Sequence, residues 1–192
     1  MKNKRIGIIK TGNSGSVSSA LEMLGFYCFI SDNPEKLSKS DALILPGVGS
    51  FGQAMKSLSR LRNLILNWKK PFLGICLGMQ VLFEKSEESS GVKGFGIIKG
   101  GVKKFQNIRV PQIGWNRITN LSGPLFSDKG YVYFVNSYFC VPNESVKTST
   151  TNYVVEFASY VQKNNFYGVQ FHPEKSGEYG LKILERFARL LE

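Results

Sequence analysis

The first half of the chain alternates short apolar runs with stretches of helical period. Ile6–Ile9, residues 27–30, Ala42–Leu45 and Phe72–Ile75 are near-continuous apolar segments of strand length. Between the first two, residues 16–24 put Val17, Ala20, Leu21 and Leu24 on one helical face and stop at Gly25. A second helix is expected over about residues 53–68, with Met55, Leu58, Leu61 and Ile65 inward, and Ser31-Asp32-Asn33-Pro34 reads as a turn. Strands apolar on both faces and separated by helices predict a parallel sheet covered on both sides. The fold class is therefore α/β, an open and mostly parallel sheet with helices on both faces.

The pattern changes after about residue 86. Residues 84–91 read as a polar loop. Strand-like runs follow at residues 101–105, 131–135, 138–141, 153–157, 160–161 and 166–171, with a turn at 162–165, and predict an antiparallel β extension in the second half. A last helix over about residues 177–191 carries Leu181, Leu184, Phe187, Leu190 and Leu191. No repeat or low-complexity linker interrupts the 192 residues, so a single domain over 1–192 is expected.

Charge invites one alternative. The chain has 25 basic and 14 acidic side chains, a formal net charge of +11. The basic residues are dispersed, and no recognition-helix, zinc-finger or aromatic-basic signature accompanies them, so no nucleic-acid partner is expected. No apolar stretch approaches the ~20 residues of a membrane span. Met1-Lys2-Asn3-Lys4-Arg5 leads straight into the first apolar run without the features of a signal peptide, which reads as a cytoplasmic protein. Cys28, Cys76 and Cys140 are too few and too scattered for a disulfide framework or a metal site. Cys28 and Cys140 read as core or strand residues, and no metal or cofactor is expected.

Cys76 is different because of where the pattern puts it. The apolar run ends in Gly74-Ile75-Cys76-Leu77-Gly78, and Leu77, Val81 and Leu82 then resume at helical spacing. A cysteine taken alone is better read as a buried core thiol. Two flanking glycines at a strand end instead describe a nucleophile elbow, where strained backbone angles lift a side chain out of the sheet at the positive end of a helix. Such a nucleophile needs a base and something to hold that base. The only histidine, His172, closes an apolar run and is followed by Pro173-Glu174. On an extended segment Glu174 shares its side, so the carboxylate can hold one imidazole nitrogen while the other meets the thiol. Pro46-Gly47-Val48-Gly49-Ser50-Phe51, after the preceding strand, can aim backbone N–H groups at the elbow, with the Leu77 amide as a second oxyanion donor.

Together with Gly168-Val169-Gln170-Phe171-His172-Pro173-Glu174-Lys175-Ser176, these segments resemble the class I, triad-type glutamine amidotransferases. Pro111-Gln112-Ile113-Gly114-Trp115-Asn116 and Tyr133-Phe134-Val135-Asn136-Ser137-Tyr138 resemble more narrowly the glutaminase subunits of imidazole glycerol phosphate synthases, over nearly the whole chain. The resemblance implies a flavodoxin-like class I amidotransferase fold. It implies hydrolysis of L-glutamine through a cysteinyl thioester, and ammonia passed to a (β/α)8 cyclase partner in a heterodimer. It implies Cys76 as nucleophile, His172 as base and acid and Glu174 as its orienter. Gly49 and Leu77 would line the oxyanion hole, completed by a turn of the Gly47–Val48 peptide. Gln80, Glu88, Ser137 and Tyr138 would hold glutamine, and Asn13, Tyr133 and Lys175 would face the cyclase. Two departures stand out. The family usually has Asp-Tyr-Gly-x before Gly-Asn at the first strand end, where this chain has only Lys10-Thr11 before Gly12-Asn13. Two histidines common in the family are here Gln112 and Asn136. Two destinations for the ammonia follow, the histidine-pathway intermediate or an amidino-sugar precursor.

Overall fold

The computed structural model describes residues 4–191; Met1 to Asn3 of the polar lead-in, and Glu192, lie outside the described residues. Strands β1 (Ile6–Ile9), β3 (Ala42–Leu45) and β4 (Phe72–Ile75) fall where the apolar runs end and begin, and β2 (Cys28–Ser31) is one residue later than expected. With β12 (Phe166–Val169) they form a parallel sheet in the order β2-β1-β3-β4-β12, the flavodoxin-like arrangement. Every residue of β1, β3, β4 and β12 is buried, because both sheet faces are covered. Alternation along β1 sorts its side chains. Ile6 and Ile8 pack with Val17 and Leu21 of α1 (Ser14–Met23) and with Ile183, Leu184 and Phe187 of α6 (Gly177–Arg189). Ile9 faces the opposite core, with Leu37, Leu58 and Ile65.

Several elements differ from the pattern reading. Asn33 and Pro34 do not close a turn; Asn33 Oδ1 accepts from Lys36 N at 3.0 Å and caps the short α2 (Pro34–Ser38), with Pro34 at its first position. The long helix expected over 53–68 is broken into α3 (Phe51–Ser57), a 3₁₀ turn (Ser59–Leu61) and α4 (Arg62–Leu66). Ser57 Oγ donates back to the Ala54 carbonyl at 2.9 Å, the local competition that weakens serine-rich helix interiors. Leu58, Leu61 and Ile65 stay buried across the break, while Met55 is only half-buried. The helix after Cys76 is a single turn, α5 (Leu77–Gln80), and part of the expected polar loop is strand β5 (Phe83–Ser86).

The second half is more continuous than its apolar runs suggested. Strands β6 (Ile98–Lys104), β7 (Gln112–Thr119), β8 (Tyr131–Asn136), β9 (Tyr138–Pro142), β10 (Lys147–Tyr153) and β11 (Val155–Lys163) extend the sheet beyond β12, largely antiparallel. β7 and β10 were not foreseen as strands. The run expected at 153–157 is strand but broken by a corner: Tyr153 ends β10, Val154 turns at φ 65°, and β11 starts at Val155, which pairs back with Tyr153. Among the described residues no helix is long and apolar enough to cross a membrane.

The register brings the chemistry together. Leu45 is paired with Gly74 and Ile75 with Val169, so β3, β4 and β12 end side by side. The residues just past those ends are Pro46, Cys76 and Gln170. Sheets of this kind bind ligands outside such carboxyl ends.

Candidate active site

Cys76 leaves β4 with φ 53° and ψ −108°, a backbone conformation that side-chain-bearing residues rarely adopt. Its N–H donates to the Val169 carbonyl at 2.7 Å, and its carbonyl accepts from Met79 N and Gln80 N at 3.0 and 3.1 Å. The elbow is thus tied to β12 on one side and to α5 on the other. It needs glycine at 78, where a Cβ would overlap the Leu45 carbonyl oxygen. Cys76 is 8% exposed; its thiol lies 3.9 Å from the Val135 carbonyl and receives Gln170 Nε2 at 3.5 Å.

His172 is 3% exposed; its backbone N–H donates to the Tyr133 carbonyl at 2.9 Å. Its Nδ1 meets Glu174 Oε1 at 2.9 Å, which leaves the other nitrogen to act on Cys76, the thiol that shares its cavity. Glu174 does not reach the imidazole by extended-strand alternation. Pro173 opens a 3₁₀ turn (Pro173–Lys175) right after His172, and the turn folds the carboxylate back onto the ring. Burial by itself disfavours the charged imidazolium. The interactions with Cys76 and then Glu174 outweigh it and push His172 up to about 10.

A cavity of about 310 Å³ opens over these groups, lined by Gly49, Cys76, Leu77, Gln80, Glu88, Ser137, Tyr138, His172 and Lys175 among others. Two of the three candidate catalytic side chains, the two oxyanion candidates and the four candidate glutamine contacts are therefore gathered in one place, with Glu174 behind His172. The turn after β3 lies directly against the elbow: a Cβ on Gly47 would come within 2.7 Å of Leu77 Cβ, and Gly49 adopts φ 101°. Glu88 accepts from Phe51 N at 2.6 Å. Burial and then the Glu88 charge raise the Tyr138 phenol, which puts both on the same wall. Gln80 is buried, and its amide donates to the Tyr138 carbonyl and to Gln170 Oε1, each at 3.2 Å. No group of three His, Cys, Asp or Glu residues that could hold a metal occurs among the described residues.

The three residues expected at a partner face separate. Tyr133 lies on the outward side of β8, its ring 5.9 Å from Trp115 of β7, and exposed Lys175 stands at the cavity mouth. Asn13 points inward instead, its Nδ2 donating to Glu174 Oε1 at 3.2 Å. Gln170 had no expected role; it is fully buried and bridges Gln80 to the thiol. Its place two residues before His172 on an extended segment was the available signal. Gln112 and Asn136 are cross-strand partners. Gln112 Nε2 donates to Asn116 Oδ1 at 2.8 Å and Asn136 Nδ2 to the Tyr138 carbonyl at 3.0 Å, leaving two buried acceptor oxygens without a partner.

The class I glutamine amidotransferase family profile (GATase) matches residues 10–190. The chain is 47% identical, over 97% of its length and all of the relative's, to the imidazole glycerol phosphate synthase subunit HisH of Methanocaldococcus jannaschii. It is 45% identical, over 97% of its length and 99% of the relative's, to the protein of the same name from Pyrococcus furiosus. Among solved structures, PurLQS from Thermotoga maritima superposes with a TM-score of 0.75 at 19% identity, covering 99% of this chain and all of that one.

Proposed function

Since the chain belongs to the class I glutamine amidotransferases, we propose that it is the glutaminase subunit of an imidazole glycerol phosphate synthase, hydrolysing L-glutamine and passing the ammonia to a (β/α)8 cyclase subunit in a heterodimer. The cyclase would use it to form imidazole glycerol phosphate and AICAR. The observation that carries the reading is the single cavity in which Cys76 and His172 meet, with Glu174 on the far nitrogen.

The chemistry follows from those positions. The Cys76 thiolate attacks the side-chain carbonyl of glutamine, and the new oxyanion is received by backbone N–H groups of Leu77 and the turn at Gly47–Gly49. His172, held as the imidazolium, gives its proton to the leaving nitrogen; the C–N bond breaks and ammonia departs, leaving a thioester. Water then attacks the thioester with His172 as base, the C–S bond breaks, and glutamate leaves. Glu88 supplies the carboxylate for the substrate's ammonium group.

The docking face has support of its own. Ile113, Trp115 and Tyr131 of the β7–β8 hairpin are 63%, 53% and 59% exposed on one side of the ribbon. Contiguous apolar surface of this kind marks an interaction site. The Val135 carbonyl of the same hairpin lies beside the thiol, so ammonia would form next to that face. The test is glutamate release and acceptor-product formation from glutamine by the chain mixed with a cyclase subunit. Both are expected in the wild type, and neither with Cys76→Ala. Turnover retained by that variant sinks the mechanism, and glutamate without cyclised product redirects the ammonia to another acceptor such as an amidino-sugar precursor.

A further inference from the structure

Asn13 occupies the N-cap position of α1, where an asparagine ordinarily accepts from a backbone N–H of its own helix. Here no side-chain capping bond is made. The side chain is committed elsewhere: Nδ2 donates to Glu174 Oε1 at 3.2 Å, the same oxygen that meets His172 Nδ1 at 2.9 Å. The direction of the amide is set by Thr11, whose Oγ1 donates to Asn13 Oδ1 at 3.3 Å. Thr11 is itself fixed, its N–H donating to Ser14 Oγ at 2.6 Å. The other oxygen of Glu174 is buried without a partner. The carboxylate is thus held by two donors converging on one atom, and only Asn13 comes from outside the segment that carries the histidine.

We propose that Asn13 is a positioning residue of the triad: it fixes Glu174 against His172, and acts on Cys76 only through them. The inference rests on the glutaminase reading of Cys76, His172 and Glu174. Asn13 is not among the residues lining the substrate cavity, so its effect falls on the chemical steps and leaves glutamine binding alone. The segment that carries it also touches the oxyanion turn, since a Cβ on Gly12 would come within 2.9 Å of Val48 Cγ2. The shortened loop after β1 therefore contacts both halves of the catalytic machinery.

The experiment uses the chain assembled with its cyclase subunit and measures glutamate release from about pH 5.5 to about 9. Three variants are compared with wild type. Asn13→Ala loses the donor, and kcat falls about tenfold with KM for glutamine within about twofold. Asn13→Ser restores an ordinary helix cap but is too short to reach Glu174, so it melts at or above the wild-type temperature with the same loss of kcat. Asn13→Asp sets a second carboxylate against Glu174 and costs more at neutral pH. Relative to wild type it recovers on acidification, as the protonated acid becomes a donor to Oε1. The other ionisable groups here are His172 and Cys76, with Lys10 and Lys175 on the adjoining segments, and all are shared with wild type. Wild-type kcat in Asn13→Ala and Asn13→Ser, a loss carried by KM, or an Asn13→Asp deficit independent of pH would each overturn the proposal. A wild-type assembly that releases no glutamate would instead overturn the glutaminase reading beneath it.

Discussion

Glu174→Gln keeps the length of the side chain and an acceptor oxygen for His172 Nδ1, but removes the negative charge. In the native protein His172 is buried, which opposes protonation, yet its contacts with Cys76 and then Glu174 push it from 6.5 up to about 10. At 1.36 kcal/mol per pKa unit that rise is worth roughly 5 kcal/mol in favour of the imidazolium. An opposite charge at hydrogen-bonding distance contributes about 1–3 units, so Glu174→Gln should lower the midpoint by about 2 units. His172 is the only histidine, which gives proton NMR a single imidazole to follow. In the wild type that imidazole should remain protonated through neutrality, and in the variant it should titrate about 2 units lower. Stability moves in the same sense. Because the folded value lies above the unfolded one, the stabilisation from His172 is complete below about pH 6.5 and is lost as pH rises through about 10. In Glu174→Gln the loss comes at lower pH. Glutamate release should fall by about 100-fold or more in kcat. A wild-type imidazole titrating near its ordinary value, or a variant with an unshifted midpoint, refutes the charge argument.

Two further outcomes are expected. Cys76 holds a positive φ at a cost of about 1–2 kcal/mol to any residue but glycine, so Cys76→Gly should be about 1 kcal/mol more stable than Cys76→Ala in urea unfolding while both release no glutamate; equal stability would remove the strain from the account. Trp115→Asp, on the exposed side of the β7–β8 hairpin, should leave the melting temperature of the isolated chain unchanged and weaken binding of the proposed cyclase partner in calorimetry by about 30-fold; an undiminished affinity would place the docking face elsewhere.

The parallel half was legible because its physics is local and repetitive. Strands buried on both faces must be apolar throughout, and Ile6–Ile9, Ala42–Leu45 and Phe72–Ile75 announce themselves by that alone. β10 is the opposite case. Its sequence Lys147-Thr-Ser-Thr-Thr-Asn-Tyr153 has no apolar run, yet threonine suits a pleated strand, and Ser149 and Thr151 are buried between β7 and β11. Pairing partners distant in sequence decide such a strand. The break at Leu58 was hidden for a related reason, since the inward spacing of Leu58, Leu61 and Ile65 survives a change from α to 3₁₀ winding.

The site divides along the same line. Cys76 and His172 could be found from strand ends, because a strand end in this sheet is where chemistry gathers, and the register of Ile75 with Val169 then places Gln170 beside the thiol. Spacing also led to Glu174, though for the wrong geometric reason: the 3₁₀ turn begun by Pro173, and not an extended backbone, returns the carboxylate to the ring. Asn13 lay beyond any such reading. The resemblance put Asn13 at the partner face, and nothing in its spacing from His172 or Glu174, about 160 residues later, points to a contact with them. Only the fold, by setting the start of α1 against the segment after β12, turns a residue expected at the partner face into a donor for Glu174. The shortened loop of Lys10 and Thr11 then has a consequence that its polarity did not reveal. Thr11 directs the Asn13 amide and Gly12 packs against Val48. One short segment thus touches both Glu174, through Asn13, and the turn after β3, through Gly12.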